Sequence, residues 1–442
     1  MNILFILPEY YPHSGGGISS YYIQYLKELK KSISRLKVIV GSGYTQSENN
    51  YSIDGIEIDY LKPDLFKKHL IKFSRFSISP EYQRNIAAAW AMWEQCEGGK
   101  GFDIVECVDF GLGFVPWVSK RNLPVITRLH GSTGQIELNE PSLRESLNGD
   151  LHRQTEYILL NLSNGIITHS KANQKYWNDI LTNKKIDLIY PVYQSDQQKF
   201  SLNFDKKNTG IVCGRIQEWK GPDILCEAIN LIQNKNVLIN WFGRDTNFNG
   251  LLTKGEQLKQ KYPKVWGRQI ISNSPVANDQ LMQVQRKAGF AIIPSTWDMF
   301  NFTGLEYMNS GIPVICSDGA GVSELVEDGV NGFKYQKYDY QALADCIEKV
   351  IDLTLDDYKK IVENARSTFL SKLAPDEALK ENIKIYQRVL LDFKPSKSNS
   401  FIDALYYPDS MPHTIDNVLD KQSLKTLLKY IYRRLLLKIY TR

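Results

Sequence analysis

The chain of 442 residues has no apolar run approaching the ~18 residues of a membrane span, so no spanning helix is expected. Its six cysteines (Cys96, Cys107, Cys213, Cys226, Cys316, Cys346) are scattered and form no CxxC pair. Neither a zinc site nor a disulfide framework is suggested, and reduced buried thiols in a cytosolic protein are expected. The histidines are equally few: His13, His69, His130, His152, His169 and His413 show no metal-ligand spacing. No GxSxG elbow and no P-loop occur, which leaves nucleophilic hydrolase and P-loop NTPase chemistry without support. Net positive charge is confined to one place. The net charge is +5, but residues 421–442 hold seven basic residues and no acid, and the rest of the chain stands at −2. Global basicity therefore does not argue for nucleic acid. The opening MNILFILPEYYP lacks a basic n-region, so a first strand is expected there and not a signal peptide.

What is present is globular: 43% hydrophobic and 23% charged residues disfavour disorder, collagen and coiled coil. The length suggests two to four domains. Short runs rich in Ile and Val alternate with helical patterns: NILFIL (2–7), KVIVG, GIEIDY, FDIVEC, PVITRL, GIITHS and DLIYPV, then TGIVCGR (209–215), VLINWFG, QIIS, FAIIPS, IPVICSD and GFKY. Such alternation predicts parallel sheets covered by helices on both faces. Two series of this length predict two doubly wound domains, over 1–195 and 209–375, with a polar boundary near 193–208. A further helix is expected over 376–392, a linker over 393–400 and a tail over 401–442.

Four segments could carry chemistry. In IIPSTWDMFNFTGLEYMNSGIPV, Asp298 lies in a loop after a buried strand, and a helix begins near Thr303. Thr303-Gly304-Leu305-Glu306 fits a capping box, which gives Glu306 a purely local role. Alternatively, Asp298 and Glu306 face the crevice at the carboxyl ends of the strands, where open α/β sheets bind ligands. In GRIQEWKGPD, Arg215 and Lys220 lie between a strand end and a helix opened by Pro222, a place suited to a diphosphate; two surface cations are the plainer alternative. The loop Gly15-Gly16-Gly17 is not GxGxxG, and no acid stands alone after a second strand, which weakens a dinucleotide reading. It serves either as a close backbone approach to phosphate or sugar or as a flexible turn. His130, just past the strand PVITRL, is either a crevice ligand or a structural histidine.

Taken together, PSTWDMFNFTGLEYMNSGIPV, GRIQEWKG and YYPHSGGG make residues 1–392 resemble the retaining glycosyltransferases of GT-B fold in family four, the "group one" glycosyltransferases. The resemblance implies an α/β architecture of two doubly wound Rossmann-like domains facing a cleft, with helix 376–392 crossing back onto the first. It implies that Arg215 and Lys220 bind the donor diphosphate, that Glu306 binds the ribose, and that Asp298 and His130 contact the transferred sugar. Asn301, Phe302 and Thr303 fall in the donor-binding stretch, and Gly15, Gly16 and Gly17 in an acceptor or phosphate loop. Asp298 stands where Glu is commoner, and Asn301 where glycine is frequent, a departure that bears on the donor sugar.

The implied reaction moves a sugar from a nucleoside-diphosphate donor, UDP before GDP, to a sugar, glycan or lipid-linked acceptor hydroxyl, with retention of configuration. Arg215 and Lys220 would fill the place a metal takes elsewhere, so neither metal nor cofactor is expected. The family also suggests that the leaving phosphate helps deprotonate the acceptor. A catalytically silent GT-B subunit that binds a sugar or partner is the alternative, and loss of Arg215, Lys220 or Glu306 would have marked it. In the tail, Leu424, Leu427, Leu428, Ile431, Leu435 and Ile439 recur at helical spacing, beside Lys421, Lys425, Lys429, Arg433, Arg434 and Lys438. This predicts either a membrane-surface helix over 421–442 or a helix docked on the protein's own body or on a partner. The expected location is cytoplasmic, peripheral on the inner face of a membrane in the first case.

Overall fold

The computed structural model describes residues 1–11, 16–140, 146–193, 202–234, 236–248, 252–276, 278–397 and 415–440. The β-branched runs form strands because they fit a pleated surface buried on both faces. The first domain contains β1 (Asn2–Leu7), β2 (Arg35–Val40), β3 (Asn50–Ile53), β4 (Ile56–Tyr60), β5 (Ile104–Val108), β6 (Val125–Arg128), β7 (Gly165–Thr168) and β8 (Ile186–Leu188). They pair in the order β3-β4-β2-β1-β5-β6-β7-β8, parallel except at β3–β4. β3 is an edge strand that the apolar pattern does not predict. It is joined to β4 through Asp54 and Gly55, both at positive φ (52° and 74°), as a tight Asp-Gly hairpin requires.

The helices here are α1 (Gly17–Leu29), α2 (Pro63–Lys72), α3 (Pro80–Gln95), α4 (Val115–Lys120), α5 (Thr133–Asn139), α6 (Leu147–Leu159) and α7 (Lys171–Ile180). Strand alternation sorts the core into two layers. Leu4 and Ile6 of β1 face Ile86, Ala87 and Trp90 of α3. Ile3, Phe5 and Leu7 face Tyr22, Tyr25 and Leu26 of α1 on the other side.

The second domain contains β9 (Thr209–Cys213), α8 (Pro222–Leu231), β10 (Leu238–Phe242), α9 (Lys254–Lys261), β11 (Ile270–Asn273), α10 (Asn278–Gln285), β12 (Phe290–Ile293), α11 (Thr303–Ser310), β13 (Val314–Ser317), β14 (Phe333–Tyr335), α12 (Tyr340–Asp352) and α13 (Leu355–Lys372). Its strands are all parallel, in the order β11-β10-β9-β12-β13-β14. α14 (Pro375–Asp392) starts on a proline and two acids in its first turn, the residues a helix N-terminus favours. It packs Leu379, Ile385, Tyr386 and Val389 into the first domain, on the layer that α1 covers.

The domains meet along a seam of loops leaving the carboxyl ends of β7, β12 and β13. Ser170 Oγ donates to Met299 O at 2.6 Å, and Ala172 N–H at the start of α7 donates to Glu324 Oε1 at 2.9 Å. A Cβ on Gly321 would lie 2.3 Å from Met299 O and 2.7 Å from Ser170 Cβ, so only glycine permits this contact.

The described tail holds a helix, Leu424–Tyr440, whose side chains over 424–435 are exposed except for a half-buried Leu427, so that stretch is not docked on the described body of the protein. Among the described residues no helix is long and apolar enough to cross a membrane.

Candidate functional site between the two sheets

On the second domain, β9 ends at Cys213, two residues earlier than the pattern suggests, and the loop carrying Arg215 and Lys220 follows. Gly221 closes that loop at φ 77°, and a Cβ there would sit 1.9 Å from Pro294 O. This close approach presses the loop against the one leaving β12, where Thr296 N–H donates to Trp219 O at 2.8 Å. Lys220 is thereby carried to Asp298, with Nζ 2.5 Å from Oδ2 and 4.2 Å from the centre of the Trp219 ring. A small, partly open pocket lies here, lined among others by Cys213, Gly214, Lys220, Ser295 and Asn301.

Asp298 is fixed at both ends of its peptide unit. Its N–H donates to Gly319 O at 2.9 Å, and its carbonyl accepts from Gly321 N–H at 3.0 Å. Asn301 has φ 74°, the left-handed region that Asn tolerates best after Gly, which explains why it can replace a glycine. Its amide adds something glycine could not, a hydrogen bond to Asp298 Oδ2 at 2.9 Å. Phe302 is the N-cap of α11 and Thr303 its first residue, and no side chain caps the helix. The capping box expected over 303–306 is therefore not formed. Phe302 lies in the helical region (φ −61°, ψ −27°), whereas a capping residue needs an extended backbone. Glu306 instead accepts from Gln285 Nε2 at 2.8 Å. Burial raises its pKa above the usual carboxylate value, with the Gln285 amide acting in the opposite sense.

Arg215 is exposed at the cleft mouth. Desolvation, then the Arg244 cation, pull its pKa below the ordinary guanidinium value, while Glu9 and Asp298 act to raise it. Glu9 belongs to the first domain. Its Oε1 accepts from Ser19 N–H at 3.2 Å at the start of α1, and a Cβ on Gly16 would lie 2.4 Å from that same oxygen. A Cβ on Gly17 would touch Phe302 Cδ2 at 3.2 Å, so the glycine loop reaches across to the second domain. Gly15 and His13 lie outside the described residues.

The remainder of the first domain's wall is aromatic. Phe302 stacks on Tyr21 (ring centres 5.7 Å apart) and lies 6.0 Å from His130 and 5.9 Å from His169. His130 is positioned by α5, whose start is held by a full capping box between Ser132 and Gln135, and by Asp109 Oδ1, which accepts its backbone N–H at 2.9 Å. Burial raises the Asp109 pKa to about 7, with the surrounding backbone donors working against it. Among the described residues neither ring nitrogen of His130 has a hydrogen-bond partner, nor do Tyr21 Oη, Ser19 Oγ and His169 Nε2. Burial, then His169 and Arg128, hold the His130 pKa well below its usual value. Burial, then Arg128, lower that of His169 to about 3, against its hydrogen bond to Ile189 O. Beneath them Arg128 and Glu106 form a two-pronged ion pair (2.7 and 3.0 Å), both side chains wholly buried. Tyr22 donates to Glu106 at 2.7 Å, and Asn382 of α14 accepts from Arg128 at 2.7 Å.

The structure thus brings Gly16, Gly17, His130, Arg215, Lys220, Asp298, Asn301, Phe302, Thr303 and Glu306 to one cleft. Sequence reasoning missed Glu9, Tyr21, His169 and Gln285. Of these, only His169 carried a visible signal, lying just past a strand as His130 does. Among the described residues no three His, Cys, Asp or Glu side chains are grouped as a metal ion would need.

Comparison with known proteins agrees with this fold. Residues 194–368 match the family described as "Glycosyl transferases group 1". An uncharacterized glycosyltransferase of Methanocaldococcus jannaschii is 22% identical over 409 residues, spanning 88% of this chain and 98% of its own. Among solved structures, sucrose-phosphate synthase from Thermosynechococcus elongatus superposes with a TM-score of 0.68 at 15% identity, over 88% of this chain and 100% of that one. HepE from Anabaena, in complex with UDP and glucose, superposes with a TM-score of 0.64 at 17% identity, over 88% and 100%. The shared architecture is GT-B: two Rossmann-like domains with parallel sheets facing a cleft.

Proposed function

We propose that the chain is a retaining, metal-independent glycosyltransferase of the family-four type, with a nucleoside-diphosphate sugar as donor and an acceptor hydroxyl as nucleophile. The observation that carries this reading is the pairing of Lys220 with Asp298 at the mouth of a helix start, beside Arg215. A donor diphosphate in this place would take Lys220 and Arg215 as counter-charges and release Asp298 to hydrogen-bond the sugar. The first backbone N–H groups of α11, at Phe302 and Thr303, have no intrahelical acceptor and suit the same anion. Glu306, raised in pKa and held by a single amide, would regain acceptor contacts from two ribose hydroxyls.

In the reaction the bond from the anomeric carbon to the phosphate oxygen breaks, and one from that carbon to the acceptor oxygen forms. The acceptor's proton passes to the departing phosphate oxygen. Negative charge grows on the diphosphate as it leaves, so Arg215 and Lys220 stabilise the transition state more than the ground state. The acceptor would lie against the first domain, with His130 neutral and able to accept or donate one hydrogen bond to a sugar hydroxyl. UDP is the nucleotide favoured, since the HepE complex contains UDP. The two cations offer the counter-charge a metal would supply, which supports metal independence.

The test is a thermal-shift panel of nucleotides and sugar nucleotides, with and without EDTA, because a ligand that binds only the native state raises Tm. UDP and one UDP-sugar should stabilise the chain, GDP should do so less, and EDTA should change nothing. The stabilising donor is then supplied with acceptors, and proton NMR of the product should show the donor's own anomeric configuration. No shift with any nucleotide would overturn the assignment, and inversion would overturn the retaining mechanism.

A further inference from the structure

The helix Leu424–Tyr440 plays no part in the cleft, yet its composition is unlike that of any other segment. Leu424, Leu428, Ile431 and Leu435 are 77%, 64%, 52% and 55% exposed and, at helical spacing, form one stripe. Apolar residues in a helix normally turn towards a core, and among the described residues none covers them. Lys429 and Arg433 fall on the opposite side of the helix, and Lys425 and Arg434 flank the stripe. Tyr430 and Tyr432, 53% and 64% exposed, add rings with one apolar and one polar end.

We propose that this helix is a docking element for an anionic bilayer surface. Three observations select that occupant. The helix is too short and too charged to span a bilayer, and no described helix qualifies as a span. The stretch 421–442 has seven cations and no acid, while the rest of the chain carries −2, so attraction to anionic headgroups is concentrated here. A second copy of the same helix on the stripe would set cations beside cations with no acid to offset them, which disfavours pairing between copies. A helix lying in the interface buries the leucine stripe among acyl chains while the long Lys and Arg stems reach to the phosphates.

The test uses the full chain and vesicles of phosphatidylcholine, either pure or with 40 mol% phosphatidylglycerol, in a sedimentation assay. At low salt the chain should partition into the anionic vesicles at least about tenfold more strongly than into the neutral ones. Raising the salt to about 500 mM should remove most of that preference. Leu428→Glu with Leu435→Glu should lose binding about tenfold or more. So should Lys425→Gln with Lys429→Gln and Arg433→Gln, which leaves the apolar stripe and the helix propensity in place. The melting temperature of the body should be unchanged in both. The proposal is overturned if the full chain stays in the supernatant at low salt, if neutral vesicles bind equally, or if the leucine variant binds like the parent. A tail-dependent dimer in light scattering, abolished by the leucine changes and without vesicle binding, would also overturn it in favour of self-association.

Discussion

The two walls of the cleft handle charge in opposite ways. On the second domain Arg215, Lys220 and Asp298 stand at or near solvent, with one short ion pair between them. On the first domain the comparable Arg128 is withdrawn one layer below the surface and locked to Glu106, with both side chains fully buried. Apart from Glu9, which acts on Arg215, the groups on that wall are neutral: Tyr21 Oη and the rings of His130 and His169. A charged wall suits a ligand that carries and develops charge, and a neutral, desolvated wall suits hydroxyls. The same residue type, arginine, is therefore a buried scaffold on one side and, in the proposed function, a reagent on the other.

That contrast can be broken most strongly at Arg128. Arg128→Met leaves Glu106 buried and unpaired, and should cost about 3–5 kcal/mol of stability. Arg215→Met, at the open mouth, should cost under about 1 kcal/mol. Urea unfolding of the two variants measures the difference, and equal losses would erase the distinction between scaffold and reagent. Next, Lys220→Ala or Arg215→Ala should lower turnover about 100–1,000-fold with the fold intact. Near-normal turnover in both would remove the diphosphate assignment. A smaller effect should separate the two carboxylates: Glu306→Gln should weaken nucleotide binding about tenfold, whereas Asp298→Asn should mainly lower turnover of a bound donor. Titrations with free nucleotide and with sugar nucleotide would expose the opposite pattern.

The smallest effect concerns protons. His130 and His169 have lowered pKa values, so their share of stability is present above the ordinary histidine pKa of about 6.5. It is lost as pH falls towards the folded values, because the unfolded chain takes up protons that the folded one refuses. Asp109 and Glu156, whose pKa values are raised to about 7 and about 8, act oppositely: their share is lost as pH rises through those values. NMR of the ring resonances should show His130 and His169 still neutral at pH 5.5. A midpoint near 6.5 in either would place a charge on the wall described as neutral.

The parallel strands were legible because their two-sided burial writes itself as unbroken apolar runs. The second-domain motif was legible because its residues lie within one loop and one helix turn. The edge strand β3 was not, since one exposed face leaves NYSI without such a run. The capping alternative for Glu306 failed because the left-handed turn at Asn301 starts the helix at Thr303 without a capping residue, and its partner Gln285 was hidden because it lies on another helix. Glu9 and Tyr21 acquire meaning only from side chains hundreds of residues away, Arg215 and Phe302.

The return of α14 to the first domain has a mechanical consequence. The chain passes between the domains twice, once between Tyr193 and Leu202 and once between Lys372 and Pro375. A door hung on a single pin can sag and twist, but one hung on two pins swings about a line. Two crossings likewise restrain how the two domains can move relative to one another. Because Asn382 and Tyr386 are bonded to the Glu106–Arg128 pair beneath His130, the returning helix and the first-domain wall of the cleft share one buried network.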